Sequence, residues 1–298
     1  MKWKRGGGRA GDIIDARGGG GRRGGMGGMP IGRAGGGLGI VGVLVVLAVQ
    51  LLGGGGGAGD FNIDSPLTGG GGPAQSDPIP PSQDPDRDLK DFSAYVVSNV
   101  NDDWTRIFKA QNRDYRRVKL VFFTGGVNTG CGSASSAVGP FYCPPDQRMY
   151  LDLSFYEDMK TKLGGKGGDF AWAYVIAHEG GHHIQQLLGT SDEVRSAQQD
   201  NPDDVNELSV RLELQADCYS GVWANSVFEA GDLEKGDVAE AMDAASSVGD
   251  DRIQKRSGGD VDPHTFTHGT SEQRQRWFQA GRENGDPSAC DTFAADEL

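Results

Sequence analysis

The chain is short of positive charge. Its 29 Lys and Arg stand against 42 Asp and Glu, a formal charge of −13 over 298 residues. Residues 1–37 hold eight basic residues (Lys2, Lys4, Arg5, Arg9, Arg17, Arg22, Arg23, Arg33) and two acidic ones (Asp12, Asp15), which leaves −19 for residues 38–298. A body of that sign lacks the basic face that nucleic-acid phosphates require, which excludes DNA and RNA as partners. Internal repeats are absent. Histidine is scarce, with five in the chain, and cysteine scarcer, with four. Glycine is the excess, 49 residues with many in the first 72.

Long uncharged runs are also lacking, with one exception. LGIVGVLVVLAVQLLG, residues 38–53, has no charge, and with its flanks the uncharged run extends from Ala34 to Gly59. That reaches the roughly 20 residues needed to cross a hydrocarbon core. A cleaved signal peptide is the alternative, but no small-x-small cleavage site directly follows, so an uncleaved anchor is preferred. A buried core helix is excluded because nothing around the run is amphipathic. The expected organisation is a disordered Gly/Arg-rich tail at 1–37, a transmembrane signal-anchor at 38–57, a Gly/Pro-rich linker at 58–87 and a folded domain at 88–298. The basic flank predicts a single-pass protein of the cell membrane, with its N-terminus in the cytoplasm and the domain outside.

In the domain, apolar residues at Phe92, Val96, Val100, Trp104, Ile107 and Phe108 predict an amphipathic helix. Arg117–Thr124 and Gln147–Phe155 read as strands, the second followed by a short helix to Leu163. Phe170, Ala173, Ala177, Gly181, Ile184 and Leu188 form one stripe of a helix that starts at a capping Asp169 and stops at Gly189. Polar residues 190–203 follow, then helices over about 204–229, 235–248 and 271–281. The result is an α+β domain, mostly helical with a small β-sheet.

Three of the five histidines fall in one heptapeptide, AHEGGHH, residues 177–183. His178 and His182 are four apart, which on a helix puts both imidazoles on one face, within reach of a single metal. Glu179 lies about 100° around the helix by its period, too far round for a ligand but placed to take a proton from a metal-activated water. Surface histidines on an amphipathic helix are the bland alternative. A catalytic zinc has three protein ligands and an open position. Glu213 and Asp217 share a helix face among Leu212, Leu214, Ala216, Cys218, Tyr219 and Trp223, and carboxylates in a buried helix need partners. Glu213 is therefore the expected third ligand, and Asp217 the acceptor for the far nitrogen of a ligand histidine. His183 points elsewhere. His264 and His268 sit in a loop with Pro263 and Gly269; His268, Tyr219 or Tyr174 is available to stabilise an oxyanion.

Cys131, Cys143, Cys218 and Cys290 form an even set, which in an exported domain suggests two disulfides. Pairing Cys131 with Cys143 closes a loop rich in turn formers, leaving Cys218 for Cys290. Four cysteines allow three pairings, and free or metal-bound thiols are a further alternative.

Five stretches, GPFYCPPDQRMYLDLSF, YVIAHEGGHHIQ, RLELQADCYSGVWA, VGDDRIQ and HGTSEQRQRWFQAG, resemble the neutral zinc metallopeptidases, the YpfJ-like proteins, across about residues 88–293. The resemblance implies a zincin-type α+β domain behind an N-terminal membrane segment, one Zn2+ per chain bound by His178 and His182, and Glu179 as general base. Glu213 resembles the third ligand of the gluzincin arrangement, with the following acid, Asp217, supporting a histidine. Position 180 departs from the family pattern: an apolar residue is usual there, and here Gly180 precedes Gly181. The expected activity is hydrolysis of peptides or proteins within the chain. Two other readings stay open: a non-catalytic, zinc-stabilised cell-envelope binding or assembly protein, and a zinc amidase acting on cell-wall material.

Overall fold

The computed structural model describes residues 1–18 and 79–298. Eight α-helices and six strands are assigned among the described residues: β1 (Ile13–Asp15), α1 (Arg87–Ala110), β2 (Lys119–Phe123), β3 (Gly126–Thr129), β4 (Gly132–Ser135), β5 (Phe141–Cys143), β6 (Arg148–Asp152), α2 (Phe155–Thr161), α3 (Asp169–Leu188), α4 (Thr190–Asp200), α5 (Val205–Glu229), α6 (Asp237–Ser247), α7 (Asp250–Arg256) and α8 (Ser271–Asn284). The α+β expectation therefore holds for the domain.

One sheet has the order β1-β2-β6-β5, with β1, β2 and β6 parallel and β5 antiparallel at the edge; β3 and β4 form a separate hairpin. β2 and β6 are apolar almost throughout (KLVFF, RMYLD) because both of their faces are covered. The core gathers Val96, Val100 and Trp104 of α1, Phe170, Trp172 and Ile184 of α3, Leu214, Val222 and Trp223 of α5, and Phe278 of α8. α5 and α8 cross where glycine meets backbone: a Cβ on Gly281 would lie 1.9 Å from the Cys218 carbonyl oxygen, and one on Gly221 2.0 Å from that of Phe278. Backbones that close leave no room for any side chain. The disulfides join Cys131 to Cys143 and Cys218 to Cys290, the second tying α5 to the C-terminal segment.

The N-terminal expectation fails. Residues 1–17 are not a disordered tail but a strap laid across α1 into the sheet. The Met1 α-ammonium is held by Asp169 at 2.7 Å and by Asp237. Trp3 packs edge-on to Phe92. Asp12 is buried, accepting from Ser98 and Arg117. Ile13–Asp15 pair with Leu120–Phe122, and Arg17 reaches both Asp15 and Asp84. The composition of this stretch suggested solvation, but its arginines have specific acidic partners on the body, which outweighs the missing apolar content. No helix among the described residues is long and apolar enough to cross a membrane, and the segment expected to do so, 38–57, lies outside them. The expected single-pass topology is also overturned, because the first strand and the domain share one sheet and cannot lie on opposite sides of a membrane.

Asp169 is the first helical residue rather than the cap, which is Gly168. The polar residues 190–200, for which no helix was expected, form α4, whose only buried side chains are Val194 and Gln198.

Candidate metal centre

α3 carries the heptapeptide and α5 carries the two acids. The two helices meet at Gly181, where a Cβ would lie 2.8 Å from both Cα and the carbonyl oxygen of Ala216. This contact sets α5 close enough for Glu213 to lie between the two imidazoles. The Glu213 carboxylate lies 3.2 Å from Nε2 of His178 and 3.4 Å from Nε2 of His182. One donor atom from each of the three residues falls within 4.8 Å of the others.

Each imidazole is oriented from behind. Asp217 is fully buried, and its Oδ1 accepts from Nδ1 of His178 at 2.8 Å. The same carboxylate accepts from the Tyr174 hydroxyl at 2.5 Å and from Arg274 through Nε and Nη2 at 2.8 and 3.0 Å. Four donors thus satisfy a buried carboxylate that would otherwise be costly. Nδ1 of His182 faces the Gln185 Oε1 at 2.9 Å, and the Gln185 amide donates to the Leu212 carbonyl and to Gln215. A proton held on Nδ1 by these acceptors would leave each Nε2 lone pair free for a cation beside Glu213.

With neutral rings, three electron-pair donors face one another, an arrangement that calls for a cation. The electrostatics make the same demand. Burial opposes a charge on His178, yet Asp217 and Glu213 push its pKa up to about 10. His182 is raised against burial by Glu213. Glu213 is held well below the usual carboxylate range, despite burial, by His182 and His178 and by the charge of His268. Two imidazole nitrogens and one carboxylate suit a catalytic zinc with an open position.

Glu179 lies beside this group. Burial raises its pKa, and the charges of His182 and His178 oppose that rise. His268 is also buried. Its Nδ1 is held by Asp250 at 3.1 Å and by Thr267, while its Nε2 has no partner among the described residues. The Asp250 Oδ2 accepts the backbone N–H groups of Thr267, His268 and Gly269, which fixes the loop. Of the other residues considered, Tyr174 is committed to Asp217, Tyr219 packs against Trp104 with ring centroids 5.3 Å apart, and His264 is exposed. Cys218 lies in its disulfide. His183 is fully buried.

Gln185 and Arg274 were not found from the sequence. Gln185 had a signal in its position, three residues beyond His182 on the same helix. Arg274 lies 57 residues from Asp217, and no local pattern marks it.

Two histidines and a glutamate converging from a helix pair form a donor set of the kind that can hold a zinc ion. The family model described as "Putative neutral zinc metallopeptidase" matches residues 1–293, and the chain belongs to that family. The chain is 47% identical over 256 residues to "Uncharacterized protein YpfJ" of Escherichia coli (strain K12), covering 85% of this chain and 86% of the relative. It is 46% identical over 194 residues to "Uncharacterized protein Rv2575" of Mycobacterium tuberculosis (strain H37Rv), covering 62% of this chain and 65% of the relative. No solved structure matches.

Proposed function

We propose that this chain is a zinc endopeptidase with one zinc per chain, held by His178, His182 and Glu213, and with Glu179 as general base. The observation that carries the reading is the convergence of one donor atom from each of those three residues within 4.8 Å, next to a half-buried Glu179. Zinc there would polarise the scissile carbonyl and acidify a water. Glu179 takes the proton of the attacking water and returns it to the leaving amine. Burial raises its pKa, which favours uptake of that proton. Asp217 and Gln185 keep both ligand rings in the tautomer that presents Nε2. His268, held through Nδ1 by Asp250 with a buried and unpartnered Nε2, is the group that hydrogen-bonds the developing oxyanion.

The test is Glu179→Gln with metal analysis and turnover on a peptide library. The variant is expected to keep one zinc per chain and to lose turnover by a factor of about 10²–10⁴. Wild-type turnover in the variant overturns the mechanism. Stoichiometric zinc without hydrolysis of any peptide by the wild type overturns the peptidase reading.

A further inference from the structure

Nδ1 of His182 faces Oε1 of Gln185 at 2.9 Å. An amide oxygen only accepts, so the hydrogen in this contact belongs to Nδ1, and Nε2, 3.4 Å from Glu213, is the nitrogen open to a metal. The groups that hold the Gln185 amide this way round lie farther out. Its nitrogen donates to the Leu212 carbonyl at 2.7 Å and to Oε1 of Gln215 at 3.1 Å. Gln215 in turn donates through its nitrogen to the Cys290 carbonyl at 3.0 Å. Leu212 and Cys290 present backbone oxygens, which cannot donate, so neither amide can turn over without setting acceptor against acceptor. Both glutamines are buried, where bonds lost that way are costly.

Residue 290 is itself fixed on α5. Cys218, three residues beyond Gln215 on the same helix, is bonded to its sulfur. Two residues further on, the Thr292 hydroxyl donates to the Arg211 carbonyl at 2.6 Å, and Nη1 of Arg211 donates to the Thr292 carbonyl at 2.5 Å. The C-terminal segment at residues 290–292 thus lies along the stretch of α5 that carries Glu213 and Asp217.

We propose that Gln215 is a positioning residue for His182, and that the disulfide-tethered Cys290 carbonyl is the anchor of the relay. The polarity set at that carbonyl passes through Gln215 and Gln185 and decides which nitrogen of His182 meets the metal. His178 is held by Asp217 instead, so the two rings answer to different partners. The proposal rests on the metal-site reading for its effect on zinc, whereas the relay has a readout in the metal-free protein.

Gln215→Leu in the full chain removes both bonds of that side chain. A second variant, Cys218→Ser with Cys290→Ser, keeps the residue 290 carbonyl and cuts its tether. Each is compared with the parent by NMR of the histidine Nδ1–H groups, by chelator competition for zinc, and by thermal denaturation of the metal-free protein. In Gln215→Leu the His182 Nδ1–H is expected to exchange with solvent at least about tenfold faster, with His178 unchanged, and zinc affinity to fall about tenfold. The double variant should move the same way by less; if Gln215→Leu does not fold, it decides by the same comparison of the two rings. An unchanged rate at His182 overturns the proposal, as does an equal change at His178, which marks a general loosening of the helix pair. Unaltered zinc affinity beside a zinc-binding parent overturns it too. A selective change at His182 with no zinc bound even by the parent supports the relay and sinks the metal reading instead.

Discussion

Gly181→Ala isolates the contact between α3 and α5 from the chemistry of the ligands. An added Cβ would sit 2.8 Å from Cα and O of Ala216 and 3.1 Å from its Cβ. Carbon contacts are comfortable near 3.5–4.0 Å, so the helices must part by roughly 0.7 Å. Two effects on stability partly cancel: alanine favours a helix interior by about 1 kcal/mol over glycine, while overpacking costs about 1–3 kcal/mol. The net destabilisation is therefore small, about 2 kcal/mol at most. The effect on the site is larger, because metal coordination tolerates only about 0.2 Å, and Glu213 moves with α5. Zinc affinity is expected to fall about ten- to a hundredfold, the range seen when support around ligands is lost. Gly180→Ala is the control. Its Cβ would meet only the ends of side chains, Val100 Cγ1 at 3.0 Å and Met149 Cε at 3.9 Å, which can yield. The assay is competition with a chromophoric chelator, paired with thermal denaturation of the metal-free proteins. Wild-type affinity in Gly181→Ala, or an equal loss in Gly180→Ala, refutes the reasoning.

Asp217→Asn should weaken zinc binding about ten- to a hundredfold and destabilise the fold by about 3 kcal/mol, since it leaves the buried Arg274 with only Glu213, at 3.9 Å, as counterion; chelator competition and a denaturant midpoint check both. Joint replacement of Cys218 and Cys290 by alanine opens a loop of 72 residues and should cost about 4 kcal/mol in the unfolded-chain entropy picture, read from the denaturant midpoint against the oxidised parent. The strap should be acid-sensitive. Asp12 is lowered, against burial, by Arg117 and Ser98, and Asp84 by Arg17 and Lys90. Carboxyls with depressed folded pKa values stabilise fully above their unfolded value of about 3.9 and lose that contribution as pH falls through the folded values. Hydrogen-exchange protection of residues 1–17 should therefore fade below about pH 4, and protection unchanged at about pH 2 would contradict this.

The sequence was most legible where spacing and function coincide. The stripe from Phe170 to Leu188 announced α3, and the four-residue steps His178–His182 and Glu213–Asp217 announced which side chains could gather, because the helix period alone puts them on shared faces. Arg274 and the contact of Gln215 with the Cys290 carbonyl were hidden because their partners come from distant segments and only the packed fold brings them together. α4 was missed because just two of its side chains are buried, too few to print a period. β5 was missed because three residues are too short for an alternation to register. The strap was misread because composition reports average solvation, whereas Asp12, Arg17 and Met1 are held by individual partners. Glycine costs a helix interior about 1 kcal/mol against alanine; the close approach of Ala216 gives Gly181 its reason.

The docked strap also bears on how the chain comes to be folded. Residues 1–17 are made before the residues that hold them: the carboxylates around the Met1 ammonium lie 168 and 236 positions later, and β1 has no neighbour until Leu120–Phe122 have been made. The loop-closure penalty for so wide a gap is modest, since each doubling of length adds only about 0.6 kcal/mol, but contacts this distant in sequence form late. The strap is thus made before the body residues that hold it and is among the last segments to settle.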